Sequence, residues 1–122
     1  MEQHETPEGL RARAAEDLRT AQIIKQADDE LVSIICFHLQ QYVEKSLKAR
    51  LMELEIPYAK MHDLLMLVQL LPDGESIEND YFDDLIALTH YATTAKYSAR
   101  SPTLEEMERS FEVAPKIVSM IK

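Results

Sequence analysis

His38, Gln41, Lys45 and Lys48 recur at spacings of three, four and three residues. On a helix that spacing stacks them into one polar stripe. An imidazole, an amide and two ammonium groups in a row can hold an anion such as a phosphate, and the imidazole can also move a proton. Lys60 and His62 form a second group near the expected start of another helix, where free backbone N–H groups favour anions. Asp63 would repel phosphate there, so capping of the helix by His62 is the competing use. Tyr97 and Arg100 form a third group near a helix end, where the dipole stabilises a cation and a ring can pack against it.

Each group also has a structural use. Lys48 can pair with Glu44 four residues earlier, and His38 can be a hydrogen-bonded interior histidine. The acidic run from Glu78 to Asp84 suits the first turns of a helix and reads as a solvated face. Cys36 reads as a small core hydrophobe. No zinc-protease HExxH, phosphate-binding P-loop, dinucleotide fingerprint or nucleophile elbow is present. No catalytic residue, metal ligand or cofactor is therefore assigned.

The elements that must position these groups follow from composition and periodicity. The 122 residues suit one domain over 1–122, with residues 1–6 as a flexible tail. With 46% hydrophobic and 29% charged residues, the chain can bury a core. Only 2 glycines stand among many Leu, Ala, Glu and Lys, which argues for helices over a turn-rich β fold. One cysteine excludes an internal disulfide. The acidic start is unlike a signal peptide, and the apolar runs are shorter than a membrane span, which points to the cytoplasm. The net charge of −9 disfavours DNA as a partner; a phosphate ligand needs a local basic cluster.

The periodicity predicts an all-α, up-and-down bundle of four or five helices. The first spans about Pro7 to Gln26, capped by Thr6, with Leu10, Ala14, Leu18 and Ala21 as its stripe. The second starts near Asp28 or Asp29 and reaches about Glu55, before Pro57. The third covers about His62 to Leu71, ahead of Pro72-Asp73-Gly74. The fourth runs from about Ile77 to Ala99. The fifth starts after Thr103, with Leu104, Met107, Phe111, Ala114, Ile117 and Ile121 facing inward and a kink at Pro115.

On the long second helix, Leu31, Ile35, Leu39, Tyr42, Val43, Leu47 and Leu54 share a core-facing arc. The opposite arc carries the polar stripe together with Glu44, interrupted by Ile34, Phe37 and Met52. Apolar groups among charges predict a covered surface. The cover is either another helix of the same chain or a second copy in a homodimer.

The run from Ile35 to Ala49, with its Phe-His-x-Gln-Gln-x-x-Glu-Lys-x-x-Lys-Ala pattern, resembles the central helix of HEPN domains (higher eukaryotes and prokaryotes nucleotide-binding). Lys60-Met61-His62-Asp63-Leu64 is similar to that family's Lys-Thr-His-Asp-Leu, with Met61 in place of Thr. The stretch from Tyr97 to Pro102 is similar to its Tyr…Arg-Tyr-Pro element, with Ser101 in place of Tyr. Ala15 to Ala21 fits the first helix. The resemblance implies a four- or five-helix bundle, often homodimeric, commonly paired with a minimal nucleotidyltransferase in a toxin–antitoxin setting. It also implies that His38, Gln41, Lys45, Lys48, Lys60, His62, Tyr97 and Arg100 meet a nucleotide or that partner.

Some HEPN proteins are metal-independent ribonucleases whose Arg is followed by His after four to six residues. There the His serves as acid or base and the Arg neutralises phosphate charge. None of Arg11, Arg13, Arg19, Arg50, Arg100 and Arg109 precedes a histidine at that distance. The expectation is a non-catalytic nucleotide- or partner-binding module. The alternatives are an RNA-cleaving toxin and a purely structural dimerisation protein.

Overall fold

The computed structural model describes residues 5–97 and 101–121, without the side chains of 93–97. Among the described residues are five α-helices and no strand: α1 Pro7–Ala27, α2 Val32–Glu53, α3 Leu64–Leu70, α4 Glu75–Tyr97 and α5 Leu104–Ser119. The fold is the expected all-α bundle.

Local chemistry sets each boundary. The Thr6 hydroxyl accepts the Gly9 N–H at 2.9 Å, with Pro7 in the first turn. At the other end, the Asp28 N–H bonds the Ile24 carbonyl at 2.7 Å, and the Asp28 carboxylate accepts the Glu30 N–H at 3.0 Å. These acids shape the turn instead of capping the next helix, so α2 starts only at Val32. Leu31 takes the cap position with no side-chain bond and is 44% exposed, outside the core arc expected for it.

The end of α2 is a two-bond lock. The Glu55 N–H reaches the Met52 carbonyl at 3.0 Å, and the Ile56 N–H reaches the Leu51 carbonyl at 2.9 Å. Glu55 adopts φ 58, a left-handed conformation that usually belongs to glycine. At α3 the cap is Asp63, whose carboxylate accepts the Met66 N–H at 3.3 Å, so His62 does not cap it.

Gly74 lies in the turn before α4, where a Cβ would stand 2.0 Å from the Val68 carbonyl oxygen. The α4 helix bends at Tyr81, whose φ −131 and ψ 28 depart from helical values. Thr103 and Glu106 cap α5 reciprocally, at 2.8 and 3.0 Å. Leu104, just past that cap, is half exposed and not part of the buried stripe. The helix then continues through Pro115.

The core is built around α2. Ile35, Leu39, Val43, Leu47 and Leu51, four residues apart, are fully buried against residues such as Leu64, Leu67, Leu85, Leu88, Met107 and Ile117. The α2 backbone lies close to all four other helices, whereas that of α1 comes close to α2 alone. No described helix is long and apolar enough to cross a membrane.

Candidate functional site

His38 and Lys45 of the polar stripe lie against α1, which runs antiparallel along α2. Arg11 meets Glu53 near one end, and Asp17 meets Lys45 and His38 further along. Asp17 is the hub of this seam. One carboxylate oxygen accepts from His38 Nδ1 at 2.8 Å and the other from Lys45 Nζ at 2.6 Å. A carboxylate can only accept, so the Nδ1 of His38 carries its proton.

A second hub lies toward the α2–α3 connection. Glu44, with only 6% of its side chain exposed, accepts from Gln40 Nε2 and Lys48 Nζ, both at 2.9 Å. His62 Nδ1 lies 3.1 Å from both Glu44 oxygens. The Gln40 amide also donates to the His62 carbonyl at 3.1 Å, and its oxygen accepts from Gln41 Nε2 at 2.8 Å. Lys48 Nζ stands 5.6 Å from the Tyr58 ring centroid. Burial and the acids Glu5 and Glu44 hold the Tyr58 phenol above its ordinary pKa. Among the described residues, no buried side-chain nitrogen or oxygen lacks a partner.

The sequence-derived candidates therefore divide. His38 and Lys45 enter the Asp17 cluster, Gln41, Lys48 and His62 the Glu44 cluster, and each of these lysines is matched by one carboxylate. Lys48 pairs with Glu44, as its structural use required. His62 binds Glu44 instead of the expected backbone N–H and keeps 72% of its side chain exposed. Lys60 is exposed, with no ion pair among the described residues. Arg100 and the side chain of Tyr97 lie outside the described residues. Ile34 is 46% exposed, and Phe37 and Met52 are half-buried. The Phe37 ring meets His38 edge-on, its centroid 5.4 Å away.

Two members were missed in the sequence, and both left a signal there. Asp17 falls on the stripe of Leu10, Ala14 and Ala21 at spacings of four, three and four, with Leu18 only flanking it. Gln40 falls likewise among Cys36, Val43 and Leu47. A lone polar residue within a buried helical stripe needs a partner.

The arrangement can orient imidazoles and receive protons. Among the described residues, no hydroxyl or guanidinium bonds His38 or His62 to complete a reacting pair. Nor does any described group of three or more His, Cys, Asp or Glu make a metal cage. Cys36 is fully buried and its thiol is pushed up to about 12 by desolvation, so it is no nucleophile at neutral pH.

The chain is a helical bundle whose long middle helix carries a Gln–Glu–Lys cluster facing the α2–α3 connection, with an antiparallel first helix bonded to it through Asp17 and Arg11. The family model for the HEPN domain matches residues 7–122, and the chain belongs to that family. No curated protein and no solved structure matches the chain.

Proposed function

We propose that this chain is a non-catalytic HEPN module that binds a nucleotide or a nucleotidyltransferase partner. The supporting observation is the lip where the Glu44 cluster meets water. There, exposed His62 is tethered by Glu44, with Lys60 exposed two residues before it. Lys48 already matches the Glu44 charge, so Lys60 offers its charge, and His62 an exposed imidazole, to an incoming anion. The absent Arg–His spacing favours binding over cleavage.

A minimal nucleotidyltransferase in a toxin–antitoxin-like pair is the proposed partner. Homodimerisation through Ile34, Phe37 and Met52 belongs to the same proposal, because association would cover apolar surface left partly exposed on α2. Calorimetric and thermal-shift titrations with nucleoside triphosphates test the first element, and co-purification with a nucleotidyltransferase encoded alongside tests the second. Binding weakened by Lys60→Ala and His62→Ala is expected. No stabilisation together with no partner overturns the reading, and metal-free RNA degradation overturns its non-catalytic part. In sedimentation, Ile34→Asp should yield monomers; a persistent dimer rules out that interface.

A further inference from the structure

Charge is distributed very unevenly along this chain. Residues 61–95 contain no lysine or arginine, but they hold seven acids: Asp63, Asp73, Glu75, Glu78, Asp80, Asp83 and Asp84. That stretch, comprising α3, the Gly74 turn and most of α4, carries −7 of the net −9. The rest of the chain, with 13 cations and 15 acids, is nearly balanced.

The same segment is greasy on the outside. Met66 and Leu70 on α3 are 50% and 37% exposed, and Phe82 and Ile86 on α4 are each 45% exposed. Each pair is four residues apart, one helical turn. The two helices pack on each other, and Gln69 Nε2 reaches across to Glu78 Oε2 at 3.2 Å. Gln69 shares its arc of α3 with Met66 and Leu70, while Phe82 and Ile86 continue the exposed side of α4 beyond the Tyr81 bend. Of the acids, Asp84 is held by Arg109, Glu78 by Gln69, and Asp63 caps α3. Asp73, Glu75, Asp80 and Asp83 are exposed, with no ion pair among the described residues.

We infer that the α3–α4 face docks a basic amphipathic helix of a partner protein, with Met66, Leu70, Phe82 and Ile86 receiving its apolar side chains and the surrounding acids its lysines and arginines. Charge selects this occupant. A second copy on a two-fold axis would set the same acids against themselves. Nucleic acid and anionic lipid surfaces are repelled. An apolar strip rimmed by one sign of charge fits a helix that presents apolar anchors a turn apart, flanked by the opposite sign. The face uses none of the α2 cluster, so it stands or falls apart from nucleotide binding.

The test is a synthetic helix with leucines on one face and lysines on the other, titrated into the intact chain by calorimetry and by amide chemical shifts. Its controls are a peptide of the same composition with the leucines scattered around the helix and a copy with glutamate for lysine. Expected is saturable binding of the first peptide alone, with shifts confined to α3 and α4 and affinity falling as salt rises. The Phe82→Ser/Ile86→Ser double variant should bind at least about tenfold more weakly. Asp80→Asn/Asp83→Asn should weaken binding and flatten its salt dependence. All four positions are exposed, and circular dichroism melts would verify the fold of each variant. Equal binding of the scattered peptide, shifts on other helices, no binding at millimolar peptide, or self-association abolished by Phe82→Ser/Ile86→Ser would each overturn the inference.

Discussion

Replacing Glu44 by leucine should unsettle the whole bundle. The carboxylate is almost completely covered and accepts from Gln40, Lys48 and His62 at 2.9–3.1 Å. Its loss leaves the Lys48 ammonium, on a side chain only 13% exposed, without its counter-charge and the Gln40 amide with only the His62 carbonyl. Breaking a buried pair on one side costs about 3–5 kcal/mol. Shared partners make the individual bonds non-additive, so the loss should stay within that range. With an unfolding entropy of about 2.1 cal/mol/K per residue, the midpoint should drop by about 12–20 °C. Thermal unfolding followed by circular dichroism measures the midpoint and urea unfolding the free-energy loss, provided two probes give coincident transitions. The discriminating variant is Glu44→Leu/Lys48→Met, which removes both charges and should be less destabilised than Glu44→Leu alone. A loss below about 1 kcal/mol for Glu44→Leu would mean that the pair behaves as an exposed one and would refute the reasoning.

Other perturbations read other parts of the molecule. Glu55→Gly removes a left-handed strain of about 1–2 kcal/mol and adds about 0.5–1 kcal/mol of chain entropy cost, so a net gain of about 0.5–1 kcal/mol is expected in urea unfolding. Gly74→Ala drives a methyl onto the Val68 carbonyl, and a loss of at least about 2 kcal/mol is expected; an unchanged midpoint would mean that the turn yields freely. The Arg11 guanidinium bonds both oxygens of Glu53 and holds its carboxyl down at about 2, well below the ordinary 4.5. A depressed carboxylate stabilises the fold above about pH 4.5 and loses that contribution as pH falls toward about 2. Arg11→Gln should therefore be less destabilising at pH 2 than at pH 7, measured as the difference from the parent in urea midpoints.

Much of the fold was legible in periodicity and caps. Thr6, Pro7, Thr103 and Glu106 act as their types and positions predict, and the α2 apolar stripe is the core. The errors have local causes. Asp28 and Asp29 read as caps for α2, but side-chain to backbone bonding at Asp28 turned them into the preceding turn. His62 and Asp63 both suit a helix start, and only the fold brings Glu44 within reach of the imidazole. The candidate site was half legible: the stripe gave the cations. The acids that hold them come from a residue on α1 and from one dismissed as a simple i,i+4 partner. The Glu44–Lys48 pair follows from local spacing, whereas Asp17 reaching Lys45 and His38, and Glu44 reaching His62, depend on tertiary neighbours that no local spacing encodes.

The antiparallel seam between α1 and α2 has a dynamic consequence. Because the α1 backbone comes close to α2 alone, and part of that contact is ionic, separation lets Asp17, Lys45 and His38 regain hydration. Part of the energy of rupture is thereby refunded by water, unlike at the greasy joints elsewhere. The first helix should thus behave as its own cooperative unit, and its amides should trade hydrogen for deuterium well before those of the helix it covers.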